Sequence, residues 1–97
     1  MISHEEFMNI FKKLREHNGK ATFIFKGTRY RLVINKFIHA RDDYDRQVQW
    51  ARAFGTKLPH DVLNTFQVSA IRVKIHDEER TFNTLKEFVE WIKSLTP

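Results

Sequence analysis

The hydrophobic period of the chain switches twice, and this constrains the fold more than any other feature. Near the N-terminus Phe7, Ile10, Phe11 and Leu14 recur at helical spacing, and near the C-terminus Leu85, Phe88, Val89, Ile92 and Leu95 do the same. Between them, Ala21–Phe25, Arg29–Phe37 and Phe66–Ile75 are rich in strand formers and alternate in character. A period of 3.6 buries one stripe of a helix, and a period of 2 buries one face of a sheet. Terminal helices laid on one face of an antiparallel sheet satisfy both patterns, which is a two-layer α+β solution.

Local signals set the boundaries. Ser3 and Glu6 form a capping box, with Ile2 and Phe7 at the staple positions around it. Asn18-Gly19 ends the first helix, with Gly19 suited to a left-handed cap. Gly27-Thr28 suits a two-residue type II′ turn, which pairs Phe25 with Tyr30 and Phe23 with Leu32. That register puts Phe23, Phe25, Tyr30, Leu32 and Ile34 on one face, and Thr22, Ile24, Lys26, Arg29, Arg31 and Val33 on the other. A one-residue slip would exchange the faces. Asp42 or Asp43 caps a further helix running to about Phe54, and Pro59 opens a short turn or helix through Leu63. His76-Asp77-Glu78-Glu79 is a polar turn, Arg80–Phe82 a short returning strand, and Thr84 with Glu87 a second capping box.

The predicted order is α-β-β-α-β-β-α. It describes a single α+β domain over residues 1–97, with a small antiparallel sheet of three to four strands and an extra helix between strands 2 and 3. The predicted core is Phe7, Phe11, Phe23, Phe25, Leu32, Ile34, Ile71, Val73, Phe82, Phe88 and Ile92. With 41% hydrophobic residues and 9 Phe, the chain has the apolar material that disordered sequences lack.

Composition narrows the chemistry. The chain has no cysteine, so no thiolate serves as nucleophile or zinc ligand, and a cytoplasmic location is expected. The N-terminus is acidic where a signal peptide is basic, and no apolar run reaches the ~20 residues of a membrane span. The 5 histidines, His4, His17, His39, His60 and His76, show no zinc spacing; His60-Asp61 and the His76 turn come nearest to a ligand cluster. Asp42, Asp43 and Asp45 read as first-turn charges of a helix rather than cation ligands. Gly19-Lys20 is not a phosphate loop: Leu14 and Ala21 occupy its glycine and hydroxyl positions, and helix precedes strand. No glycine-flanked serine elbow occurs. No metal, cofactor or catalytic residue is expected.

Charge supplies the functional clue. Between Lys20 and Arg41 stand Lys20, Lys26, Arg29, Arg31, Lys36 and Arg41 without one Asp or Glu, so this segment outweighs the whole net charge of +5. Lys26, Arg29 and Arg31 share a predicted sheet face, joined by Arg72 and Lys74 of the third strand. Such a face suits a phosphate backbone or an acidic protein surface; the structural alternatives are a charged solvated face or a protected sheet edge. Arg46, Trp50 and Phe54 on the middle helix form a candidate protein interface if exposed. The sequence reading is therefore a small non-enzymatic nucleic-acid-binding module. A protein-binding regulator or inhibitor of a larger complex is the alternative, and a small nuclease the weaker one.

Overall fold

The computed structural model describes residues 1–96. Helix α1 (His4–Glu16) leads into β1 (Lys20–Phe25), β2 (Arg31–Ile34), β3 (Ile38–Arg41) and β4 (Gln47–Val48). Two short helices, α2 (Trp50–Phe54) and α3 (Pro59–Thr65), precede β5 (Val68–Ile75), β6 (Glu78–Phe82) and α4 (Leu85–Ser94). The strands form one antiparallel sheet in the order β4-β3-β2-β1-β5-β6. The α+β class holds; the sheet has six strands rather than three to four.

The terminal helices form for the reasons their sequences state. Ser3 accepts from the Glu6 amide at 3.0 Å, and Glu6 reaches back to the Ser3 amide at 3.4 Å. Thr84 caps the Glu87 amide at 3.2 Å, but Glu87 turns its carboxylate to the Thr84 hydroxyl, so this box is half made. The two helices are tied where α4 ends: Lys13 Nζ donates to the carbonyls of Ile92, Lys93 and Leu95 at 3.3, 3.1 and 2.9 Å. A cation there satisfies orphan carbonyls and the negative end of the helix dipole. Ile2 is clamped to α3 by two bonds with the Asn64 amide, at 2.9 and 2.8 Å.

All the predicted core residues meet in one cluster, with Phe11 and Phe82 at its partly buried margin. Ala21, Phe23 and Phe25 of β1, Leu32 and Ile34 of β2, Ala40 of β3, and Ile71, Val73 and Ile75 of β5 all face the helices. The hairpin register holds where the strands pair: Phe23 opposes Leu32, and Ile24 opposes Arg31. The ladder opens beyond that rung. Phe25 and Tyr30 are not paired; the Lys26 amide turns to the Gln67 carbonyl instead, at 2.9 Å. The two-residue type II′ turn expected at Gly27-Thr28 does not close: no backbone bond joins Arg29 to Lys26, although Gly27 keeps a positive φ (81°). At the end of α1 the left-handed residue is Asn18 (φ 51°), not Gly19. Gly19 is needed for close approach: a Cβ there would stand 2.7 Å from Ile75 Cγ1.

The stretch 35–54 departs most from the sequence reading. The second strand stops at Ile34, because Asn35 accepts from the Phe37 amide at 2.9 Å and bends the chain. The chain returns as β3. The helix expected from Asp42 begins only at Trp50. The Asp42 carboxylate accepts from the amides of Tyr44 and Arg46 at 2.9 and 3.0 Å, and from Arg46 Nε at 2.9 Å. An aspartate that bonds amides two and four residues on serves a turn as readily as a helix cap, and here the turn lets Gln47–Val48 pair with β3.

Asp42 is 3% exposed, and its pKa is lowered, first by the Arg46 amide, then by the Tyr44 amide and the Arg46 guanidinium. A depressed carboxylate stabilises the fold above its unfolded pKa of about 4 and loses that stabilisation as pH falls through the lower folded value. Wild type is expected to lose stability between about pH 4 and the folded pKa. Asp42→Asn should be less stable at neutral pH and lose less in that window. Urea midpoints measured against pH check this, and parallel curves for the two proteins would refute it.

At the β5–β6 hairpin, His76 and Asp77 both have positive φ, 53° and 64°. A two-residue turn of this kind favours glycine, since a Cβ in the left-handed region costs roughly 1–2 kcal/mol, less for Asp. Asp77→Gly is expected to raise stability by up to about 1 kcal/mol. A fall in the urea midpoint would show that the Asp77 side chain is itself required.

Candidate functional site

The helices and their buried residues lie on one face of the sheet, leaving the opposite face without a helical layer among the described residues. Alternation along each strand decides what this open face carries. Lys20, Thr22 and Ile24 alternate with the buried Ala21, Phe23 and Phe25 of β1. Arg31 and Val33 flank Leu32 on β2, and His39 and Arg41 flank Ala40 on β3. Arg72 and Lys74 alternate with Ile71, Val73 and Ile75 on β5.

Cross-strand pairing brings these residues together. Arg31 stands directly opposite Arg41, and Lys20 directly opposite Lys74. Thr22 lies between Val33 and Arg72, and His39 opposes Val33. With strands ~4.8 Å apart, the cations from Arg41 on β3 to Arg72 on β5 span roughly 14 Å. The acids near this face are Glu79, opposite Lys74, and Asp45, whose carboxylate is 3.8 Å from Arg41 Nη1. Arg41 also donates to the Asp45 carbonyl at 2.7 Å and to His39 Nε2 at 3.1 Å. Among the described residues Lys20, Arg31, Arg72 and Lys74 form no salt bridge. The His39 pKa is lowered by burial first, then by Arg41 and Lys20. Val33 at the middle of the face is only 1% exposed although no helix covers it. Long basic side chains lay their aliphatic stems over such neighbours. Lys20, Thr22, Arg72 and Lys74, with Glu79, Arg80 and Thr81, line a shallow depression of about 530 Å³.

Of the predicted set, Arg31, Arg72 and Lys74 share this face. Lys26 and Arg29 do not lie on a strand; both sit in the β1–β2 connection at one end of the sheet. Arg29 is held there by Tyr30, 3.2 Å from its hydroxyl and 5.2 Å above its ring centroid. That contact is the first cause of the lowered Tyr30 pKa, and Arg52 the second. Lys20, His39 and Arg41 were missed as members of the face. The acid-free run contained Lys20 and Arg41, but only the unforeseen strand β3 brings Arg41 and His39 alongside β2.

The second candidate comes apart. Phe54 is buried in the core, and Trp50 packs on it at 4.9 Å between centroids, with its indole donating to the Lys57 carbonyl at 2.9 Å. Arg46 lies in the β3–β4 turn, bonded to Asp42 and stacked over Tyr44. The three do not form one exposed patch. Four of the five histidines associate in pairs: His17 Nδ1 lies 3.2 Å from His76 Nε2, and the His4 and His60 rings are 5.4 Å apart. Among the described residues no three metal-ligating side chains gather, and no helix is long and apolar enough to cross a membrane.

No protein-family model matches this chain, and neither a curated protein nor a solved structure does.

Proposed function

We propose that the protein is a non-enzymatic, cytoplasmic binding module whose open sheet face engages the phosphate backbone of a nucleic acid. One observation carries the reading: the paired cations Arg31–Arg41 and Lys20–Lys74 on a face without a helical layer. Like charges directly opposite each other destabilise a sheet. A face charged merely for solubility intersperses both signs. Edge protection places lysines on the outermost strands, whereas these cations stand on β1, β2, β3 and β5 inside a sheet bounded by β4 and β6. A polyanion laid across the face relieves the repulsion, and each phosphate contact releases counterions.

A docked acidic protein is the competing occupant. It is less well supported, because of the two aromatics expected in a protein interface Phe54 is buried in the core and Trp50 packs against it. Fluorescence anisotropy of labelled oligonucleotides across a salt series separates the two. Backbone binding is expected to give a linear fall of log K with log salt, with a slope of about −0.7 to −0.9 per phosphate contact. Affinity no greater than that of an unrelated protein of equal charge would overturn the proposal and leave the protein partner standing.

A further inference from the structure

Of the nine phenylalanines, eight are buried or packed at the core margin; Phe37 is 71% exposed. It sits at the tip of the β2–β3 hairpin, where the loop around it is closed twice. Its amide donates to Asn35 Oδ1 at 2.9 Å, and its carbonyl accepts from the Asn35 amide at 3.0 Å. The ring is therefore presented on a fixed backbone, which limits the entropy lost when something docks on it. Around it, Arg15, Lys20 and Lys36 line the same depression of about 340 Å³, together with Asn18, Gly19 and Asn35. Three cations and an aromatic face meet there with no carboxylate in the lining. Lys20 also lines the depression on the open sheet face and is the residue common to both.

We propose that Phe37 is a stacking platform for one unpaired base, with Arg15, Lys20 and Lys36 on the flanking phosphates, and that the nucleic acid held by the sheet face is single-stranded. The inference rests on the sheet-face reading and adds the strandedness of its ligand. A phosphate chain alone calls for cations; an exposed aromatic ring among them calls for a π face. Bases offer that face when they are unstacked, as in single strands and loops, and hide it inside a duplex. Base stacking on an aromatic side chain is largely indifferent to sequence, so the site discriminates by strandedness.

The test uses the full chain with a fluorescein-labelled oligothymidylate and a labelled blunt-ended DNA duplex without a loop. Phe37→Ala removes no charge and, being exposed, should leave the thermal midpoint unchanged. It is expected to weaken oligothymidylate binding by about 5- to 150-fold, with the salt slope unaltered and duplex binding unaffected. Phe37→Trp should restore the affinity and show quenching on binding that wild type, with Trp50 and Trp91 alone, does not. If Phe37→Ala binds oligothymidylate as wild type does, while Arg31→Ala with Arg72→Ala loses it, the stacking site is refuted and the sheet-face reading survives. If neither probe binds better than to an unrelated protein of equal charge, both readings fall.

Discussion

Replacing Arg31 and Arg72 with alanine is expected to lower oligonucleotide affinity and flatten the salt slope by about one to two units, while leaving the protein as stable as before or slightly more so. The slope follows from two lost phosphate contacts at ~0.7–0.9 each. The stability follows from the sheet. Arg31 faces Arg41 across the β2–β3 ladder, and removing one partner of a like-charge pair relieves a repulsion of roughly 0.2–1 kcal/mol. Arg72 is exposed between Thr22 and Thr81, so its truncation exposes little core. Opposite movements of affinity and stability distinguish a face kept for binding from one kept for solubility. Anisotropy titrations and urea denaturation of the same preparations give both quantities. An unchanged slope would remove the sheet face from binding. A large loss of stability would show that these arginines serve the fold.

Phe23→Ala is expected to cost ~3–5 kcal/mol, the largest effect of any single truncation considered. Phe23 is 0% exposed, lies between Leu32 and Ile71 in the sheet, and meets the Phe88 ring edge-on at 5.4 Å. Its removal opens a cavity where β1, at the centre of the sheet, meets α4, and neither can collapse without breaking strand pairing. Against a total stability of ~5–15 kcal/mol for a domain, the variant would be marginal at 25 °C. Phe37→Ala is the internal control, since its ring is exposed and should cost almost nothing. Urea midpoints of the two variants provide the comparison. A cost below about 1 kcal/mol for Phe23 would mean that the hairpin faces are exchanged, and the binding face would then be the wrong one.

The faces of the first hairpin were legible from alternation, which assigned Phe23, Phe25, Leu32 and Ile34 to one side; the pairing of Phe23 with Leu32 keeps that register although the expected two-residue turn at Gly27 does not close. The terminal helices were legible from hydrophobic stripes and caps that act within four residues of the chain. The site was legible only in part, as Arg31, Arg72 and Lys74, because its other members depend on a strand the sequence did not announce. Asp42 marked the start of something. A carboxylate accepting nearby amides begins a helix and closes a turn with the same chemistry, and that ambiguity concealed β3 and β4. The sequence by itself thus determined the elements whose signals are local: both long helices, the hairpin register and the acid-free run of cations. Tertiary structure decided the rest, because a six-strand sheet forms only when distant segments pair. That pairing set Arg41 against Arg31 and Lys74 against Lys20, moved Lys26 and Arg29 to the sheet's end, and drew Trp50 and Phe54 into the core. It also left Phe37 exposed at the tip of the short β2–β3 loop.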